Sequence, residues 1–182
     1  MTEARARFAA AIAKAAGVDD PRVAAAFAQV PREDFVGPGP WLLLGPEGYI
    51  PTASTDPEIL YDDVVVALAP DKRINNGQPT LHARCLSAAR VRPGESVLHI
   101  GCGSGYYSAI LSELATSEGT VDAWDIEPAL VERATSNLAG WPNVAVSLRD
   151  ALKAAIPHRD VIYVCAGLPY PVRPWAEALS PN

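Results

Sequence analysis

An α/β fold built on a mostly parallel sheet is the architecture that three features of this sequence predict. The apolar run Val97, Leu98 and Ile100 suits a buried parallel strand; it breaks into the loop Gly101-Cys102-Gly103-Ser104-Gly105 and then into a helical pattern from Tyr106 to about Ala115. Two further apolar runs, Thr120 to Trp124 and Val144 to Leu148, each end near an acid, Asp125 and Asp150. Helical stretches separate these runs, and strands spaced that way join through right-handed crossovers into one parallel sheet.

The glycine loop carries the first hint of chemistry. Glycines let the backbone turn sharply and approach a ligand without Cβ interference, and the following helix points its unpaired N–H groups at whatever the loop holds. A dinucleotide fingerprint would need glycine where Tyr106 stands, so a nicotinamide oxidoreductase is disfavoured. The pattern G-x-G-x-G instead fits a nucleoside cofactor bearing a carboxylate in place of a pyrophosphate. An acid at Asp125 is placed to accept from both ribose hydroxyls, and the Asp150 strand end faces the adenine edge, because open α/β sheets bind ligands at the carboxyl ends of their strands. Taken singly, each acid reads more readily as a helix cap or a solvated loop residue than as a ligand contact, and a glycine turn that binds nothing is the plain alternative for the loop; it is the two acids together at consecutive strand ends after the glycine loop that favour a cofactor cleft.

Composition narrows the class. The chain of 182 residues is long enough for a sizeable core, and 49% hydrophobic content suits a soluble globular protein. Its net charge of −6, with no clustering of Lys and Arg, argues against nucleic acid as a partner. The apolar stretches are strand-sized, and Glu3, Arg5, Arg7 and Lys14 interrupt the alanine-rich start, so neither a membrane span nor a signal peptide is expected and a cytoplasmic location is. The three cysteines, Cys85, Cys102 and Cys165, are widely spaced and suit reduced thiols; no metal-ligand spacing is present. Cys85 and Cys165 read as small core residues, while Cys102 lies inside the glycine loop.

In chain order, residues 2 to 16 show helical spacing that Gly17 stops. A second helix runs from about Pro21 to Gln29, capped by Asp20 with proline in its first turn. Val30-Pro31-Arg32-Glu33-Asp34-Phe35-Val36 leads into a Pro/Gly-dense run through Pro51 that reads as an irregular connection. Tyr61 to Leu68 reads as a strand, Lys72 to Pro79 as a polar loop, and His82 to Ala89 as a helix. Beyond the glycine loop the pattern predicts helix 106 to 115, strand 120 to 124, helix 127 to 139, strand 144 to 148, a weak helix near 151 to 155, strand Val161 to Cys165, and a last helix near Pro174 to Leu179.

Three segments together resemble the protein-L-isoaspartate O-methyltransferase family over nearly the whole chain. They are Val30 to Val36, similar to the family's V-P-R-E-x-F-V; Asn76-Gly77-Gln78-Pro79 through Ala83; and Val97 to Tyr107. The resemblance implies a Rossmann-like class I methyltransferase sheet with an N-terminal helical extension. It also implies one domain over 1–182, with an N-terminal helical and acceptor-side region at 1–90 and a core binding S-adenosyl-L-methionine at 91–182. It implies carboxyl O-methyl transfer to a peptide or protein acceptor in protein repair. The cofactor contacts it implies are Asn75, Asn76, Gly77, His82, Gly101, Gly103, Ser104, Gly105, Asp125, Ile126, Asp150 and Ala151, with Gly77, Asn76 and Gln78 as the catalytic group.

The chain departs from the family's pattern in three places, the first of which bears on the acceptor. Where the family's serine would meet the acceptor carboxylate this chain has Gly77, leaving a backbone N–H and the side chains of Asn75, Asn76, Gln78 and Thr80 as donors. His99 stands where many related methyltransferases carry an acid, and reads either as a core histidine or as one facing the ligand. The family would also continue beyond Asn182 with further strands, apparently lacking here, so that Val161 to Val164 is expected at an uncovered sheet edge. A methyltransferase with a different acceptor, or a cofactor-binding module without isoaspartyl activity, therefore stands beside the main reading. The sequence leaves the oligomeric state open.

Overall fold

The computed structural model describes residues 1–180, and the chain divides into two compact units, Met1–Arg90 and Val91–Asn182. In the first unit, α1 (Thr2–Ala16) ends at Gly17, whose φ of 65° gives the left-handed cap that stops the helix. α2 (Pro21–Gln29) begins where the Asp20 carboxylate accepts from Arg22 N at 2.9 Å, and Phe8 meets Phe27 edge-on with ring centroids 6.1 Å apart. A single turn, α3 (Glu33–Val36), buries Phe35 and Val36.

The run expected to be irregular contains a hairpin. β1 (Leu42–Gly45) pairs antiparallel with β2 (Gly48–Pro51), Leu43 lying opposite Ile50, and the turn closes through Gly48 at φ 125°. Two strands of four residues are too short to show alternation, and the Pro46 and Gly residues that suggested a loop are the turn itself. The expected strand over 61 to 68 is also corrected: a 3₁₀ turn at Pro57–Leu60 leads through bends to β3 (Ala67–Ala69), which pairs antiparallel with β4 (Ile74–Asn75) inside the expected polar loop. α4 (Pro79–Ala89) follows, starting three residues before His82.

Arg32 explains why that segment is not a strand. Fully buried, it donates from Nη1 to the carbonyls of Leu60 at 2.6 Å and Asp62 at 3.0 Å, and from Nη2 to that of Val64. Its guanidinium also lies 5.8 Å from the centre of the Phe8 ring. Carbonyls held by one cation cannot serve a ladder, so the chain bends around it.

The second unit is a four-stranded parallel sheet in the order β7-β6-β5-β8: β5 (Ser96–Ile100), β6 (Thr120–Asp125), β7 (Val144–Leu148) and β8 (Val161–Val164). α5 (Tyr106–Ala115) and α6 (Pro128–Asn137) are the crossovers. On one face Leu98 and Ile100 pack with Trp124, Ala151 and Trp175, and Trp175 Nε1 donates to Ala151 O at 3.0 Å. The weak helix expected near 151 to 155 is only turns, Asp150 O accepting from Lys153 N and Ala154 N, and α7 (Arg173–Glu177) is shorter than expected. Among the described residues no helix is long and apolar enough to cross a membrane.

Replacing Arg32 by Met keeps most of its volume but leaves three carbonyls without their donor. Urea unfolding of Arg32→Met should show a loss of about 3 kcal/mol or more, since hydrogen bonds from a buried charge are costly to break. A midpoint equal to that of the unmodified protein would reduce Arg32 to a packing residue.

Candidate functional site

In the second unit the glycine loop is fixed at its entry, middle and exit. At the entry, Gly101 (φ 78°) turns against the end of β8: a Cβ there would lie 3.0 Å from Ala166 N and 3.2 Å from the Cys165 carbonyl carbon, so the close approach requires glycine. Gly101 N and Cys102 N both donate to Trp124 O, at 2.8 and 3.1 Å. At the exit Gly105 (φ 96°) precedes α5, and a Cβ would meet Leu138 Cδ1 at 2.7 Å, beside the end of α6.

Asp125 holds the middle. It is buried at the end of β6; its Oδ2 accepts from Gly103 N at 2.8 Å and its Oδ1 from Glu127 N at 3.0 Å. A carboxylate has about four acceptor positions, so two remain for a ligand. Ser104, also buried, has its carbonyl held by Asn137 Nδ2 at 3.0 Å, a contact from α6 that no local sequence signal announced. Ile126, next to Asp125, leaves 63% of its surface exposed, and Leu148 and Leu152 at the end of β7 are exposed as well. Asp150 stands between those two leucines, accepting from Leu152 N at 3.0 Å and pairing with Lys153 at 2.9 Å; its carboxyl is lowered below its ordinary range, first by the Lys153 contact. Ala151 is buried in the apolar cluster under the sheet.

The structure thus brings Gly101, Gly103, Ser104, Gly105 and Asp125 into one hydrogen-bonded unit at the carboxyl end of the sheet, with Ile126, Asp150 and Ala151 at the neighbouring strand ends. Cys102 is buried in the loop, and desolvation pushes its thiol up to about 12, which leaves it protonated and unreactive. Cys85 and Cys165 are exposed, contrary to the core positions expected for them.

Asn75, Asn76, Gly77, Gln78 and His82 lie together in the first unit. Asn75 Oδ1 accepts from Gly77 N at 2.9 Å, and its Nδ2 donates to Tyr49 Oη at 3.2 Å. Asn76 is buried and exchanges two bonds with Val66: its N–H donates to Val66 O at 3.0 Å and its Oδ1 accepts from Val66 N at 2.8 Å. Its Nδ2 is buried with no hydrogen-bond partner among the described residues. Asp63, which sequence reasoning missed, accepts from Gln78 Nε2 at 2.7 Å and from Thr80 N at 2.8 Å, capping α4 and holding the Gln78 amide. An acid separated from its helix by a hairpin gives no periodic signal.

Gly77 and His82 form a steric pair. Gly77 sits at φ 70°, and a Cβ there would fall 2.2 Å from His82 Nε2. Burial, reinforced by the Arg32 charge, lowers the His82 pKa to about 4, so its imidazole is neutral near pH 7 and offers one donor and one acceptor.

Residues 46–181 match the family model described as protein-L-isoaspartate(D-aspartate) O-methyltransferase. The chain belongs to this family. A protein-L-isoaspartate O-methyltransferase from Aeropyrum pernix is 34% identical over 99% of this chain, and one from Rhodopseudomonas palustris strain HaA2 is 34% identical over 91%. The chain spans 64% and 61% of the lengths of those relatives. Among solved structures, a protein-L-isoaspartate O-methyltransferase superposes with a TM-score of 0.78 at 26% identity, covering 99% of this chain and 52% of its own. A Plasmodium falciparum structure solved with S-adenosyl-L-homocysteine has a TM-score of 0.76 over 98% of this chain and 80% of its own; at 16% identity it speaks for the fold alone.

Two outcomes follow from the Gly77–His82 pair. Gly77→Ser should lose about 1 kcal/mol to the left-handed backbone and more to displacement of the imidazole, and His82→Ala should relieve the second part only. A double-mutant cycle by urea unfolding should therefore show coupling between the substitutions; strict additivity would contradict the contact. His82 also titrates: protonation is suppressed in the folded state between its ordinary pKa of 6.5 and about 4, so its contribution to stability is complete above pH 6.5 and lost as pH falls through that window. His82→Asn should flatten the unfolding midpoint between pH 7 and 4.5 relative to the unmodified protein. Parallel curves for the two proteins would contradict the shift.

Proposed function

We propose that this chain is an S-adenosyl-L-methionine-dependent carboxyl O-methyltransferase of the protein-L-isoaspartate type, acting on a peptide or protein acceptor in the cytoplasm. The observation that carries this reading is Asp125 bridging the glycine loop of a family member at the carboxyl end of a parallel sheet. Its two remaining acceptor positions suit vicinal ribose hydroxyls, and the exposed side chains of Ile126, Leu148 and Leu152 offer apolar surface for an adenine ring, with Asp150 and the Ala151 backbone at its edge. Gly101, Gly103, Ser104 and Gly105 would line the carboxylate-bearing end.

The cofactor, when bound, supplies a methyl group on a sulfonium, open to in-line displacement. An acceptor carboxylate is already ionised near pH 7, so the chain's own task is to hold it in line and exclude water; orientation of this kind is worth on the order of 7 kcal/mol or more. Donors within the first unit that suit a carboxylate are Asn76 Nδ2, buried and unsatisfied among the described residues, and the Gln78 amide braced by Asp63, with the neutral His82 imidazole beside Gly77.

A second reading is that the acceptor is not an isoaspartyl group, or that the fold binds cofactor without isoaspartyl turnover. Gly77 favours it, because its geometry leaves no room for a serine hydroxyl and removes one contact to the acceptor.

Calorimetry and labelled methyl transfer divide these readings. S-adenosyl-L-homocysteine should bind the unmodified protein, and Asp125→Ala should weaken that binding tenfold or more, roughly the value of one charge-assisted hydrogen bond. An unchanged dissociation constant in a folded variant removes Asp125 from the cofactor site. Transfer of labelled methyl to an isoaspartyl peptide but not to its aspartyl counterpart supports the first reading; cofactor binding with no transfer to either supports the second.

A further inference from the structure

His99 is a buried histidine on the central strand, and both of its ring nitrogens are engaged. Nδ1 lies 2.8 Å from Ser108 Oγ on α5, and Nε2 lies 3.2 Å from Cys165 Sγ, just past the end of β8. Register explains the grouping: His99 is opposite Tyr163, so Cys165, two residues on, shares its face, and the Tyr163 ring packs edge-on to the imidazole at 5.5 Å. Cys165 N donates to Ile100 O at 2.8 Å, which fixes the backbone from which the thiol projects. The sulfur's residue is exposed while its imidazole partner and the serine behind it are buried. None of the three belongs to the cofactor residues assigned above.

We infer that Cys165 is a modification site, a nucleophilic thiol supported by His99 and Ser108 and open to hydroperoxides. The serine hydroxyl both donates and accepts, so either neutral tautomer of His99 is satisfied at Nδ1. With Nε2 as acceptor the imidazole receives the S–H; with Nε2–H as donor it stabilises the thiolate once the proton has left to solvent. The second arrangement supports the nucleophile without placing a charge on a buried ring, which would be expensive. In the reaction the sulfur attacks one peroxide oxygen, an S–O bond forms and the O–O bond breaks. The departing oxygen carries away the electron pair and takes up the proton the thiol released. Sulfur is oxidised to a sulfenic acid and the hydroperoxide is reduced to an alcohol or water. Cys102, one strand end away, lacks this capacity because burial keeps it protonated.

The test uses Cys85, the other exposed cysteine, as a reference within the same molecule. During limited iodoacetamide treatment at pH 7, peptide mass spectrometry should show Cys165 alkylated about threefold or more faster than Cys85, and Ser108→Ala should bring that ratio towards one. Exposure alone predicts similar rates and no response to Ser108→Ala, and local loosening of the sheet end would raise the ratio; either result overturns the inference. Hydrogen peroxide followed by dimedone should tag Cys165, and the tag should vanish in Cys165→Ser. Tagging confined to Cys85 would also overturn it. These readouts do not depend on cofactor or acceptor, so they stand or fall separately from the methyltransferase reading.

Discussion

The hydrogen bond from Gly103 N to the Asp125 carboxylate is the constraint on which the second unit's functional end depends. Without it the five loop residues between Ile100 and Tyr106 would keep only the Trp124 carbonyl at their entry and the Asn137 contact to the Ser104 carbonyl near their exit. With it, the middle of the loop is fixed to the end of the neighbouring strand, whose Trp124 carbonyl already holds the loop's entry. The loop is therefore organised by β6 as much as by the strand it follows. A charge-assisted bond in a buried position is worth more than a neutral one, so the same carboxylate can organise the loop and keep acceptor capacity for a ligand.

The first unit uses a different device for a similar end. Arg32 gathers the carbonyls of Leu60, Asp62 and Val64, which fixes the segment carrying Asp63, and Asp63 in turn caps α4 and holds Gln78. The Asn75–Gln78 turn is thus held from one side by that chain of contacts and from the other by Val66 through Asn76. Substitution at Arg32 should consequently be felt at Gln78 although the two side chains do not touch. The V-P-R-E-x-F-V segment, whose role is opaque in sequence, acquires a physical meaning here: its arginine is a backbone clamp.

What the sequence made legible follows from which interactions are local. Strands β5, β6 and β7, the helices between them, the Asp20 cap and the glycine turns could be read because each rests on periodicity or on neighbours a few residues away. The β1–β2 hairpin was hidden because strands of four residues do not establish a period, and the bend over 61 to 66 because its cause, Arg32, lies some thirty residues earlier. At the site the loop glycines and Asp125 were legible, whereas Asn137 on the Ser104 carbonyl and Asp63 on Gln78 are tertiary contacts with no motif. Cys165 was misread as core because an apolar strand end looks the same in sequence whether or not its last residue reaches solvent.

The segment from Asn75 to His82 shows why a motif residue is not interchangeable with its family counterpart. Gly77 is more than a serine that lost its hydroxyl: its left-handed backbone is part of a turn closed by Asn75, and the space a side chain would take is held by the His82 imidazole. A neutral imidazole can donate to a carboxylate as a hydroxyl does, but from a bulkier ring anchored on a helix, so the polar group, its direction and the room left for an acceptor change together. Restoring serine alone would add the hydroxyl and disturb the other two. The shape of this segment is in this sense a property of the turn and the helix jointly, with Asn75, Gly77 and His82 packed against one another.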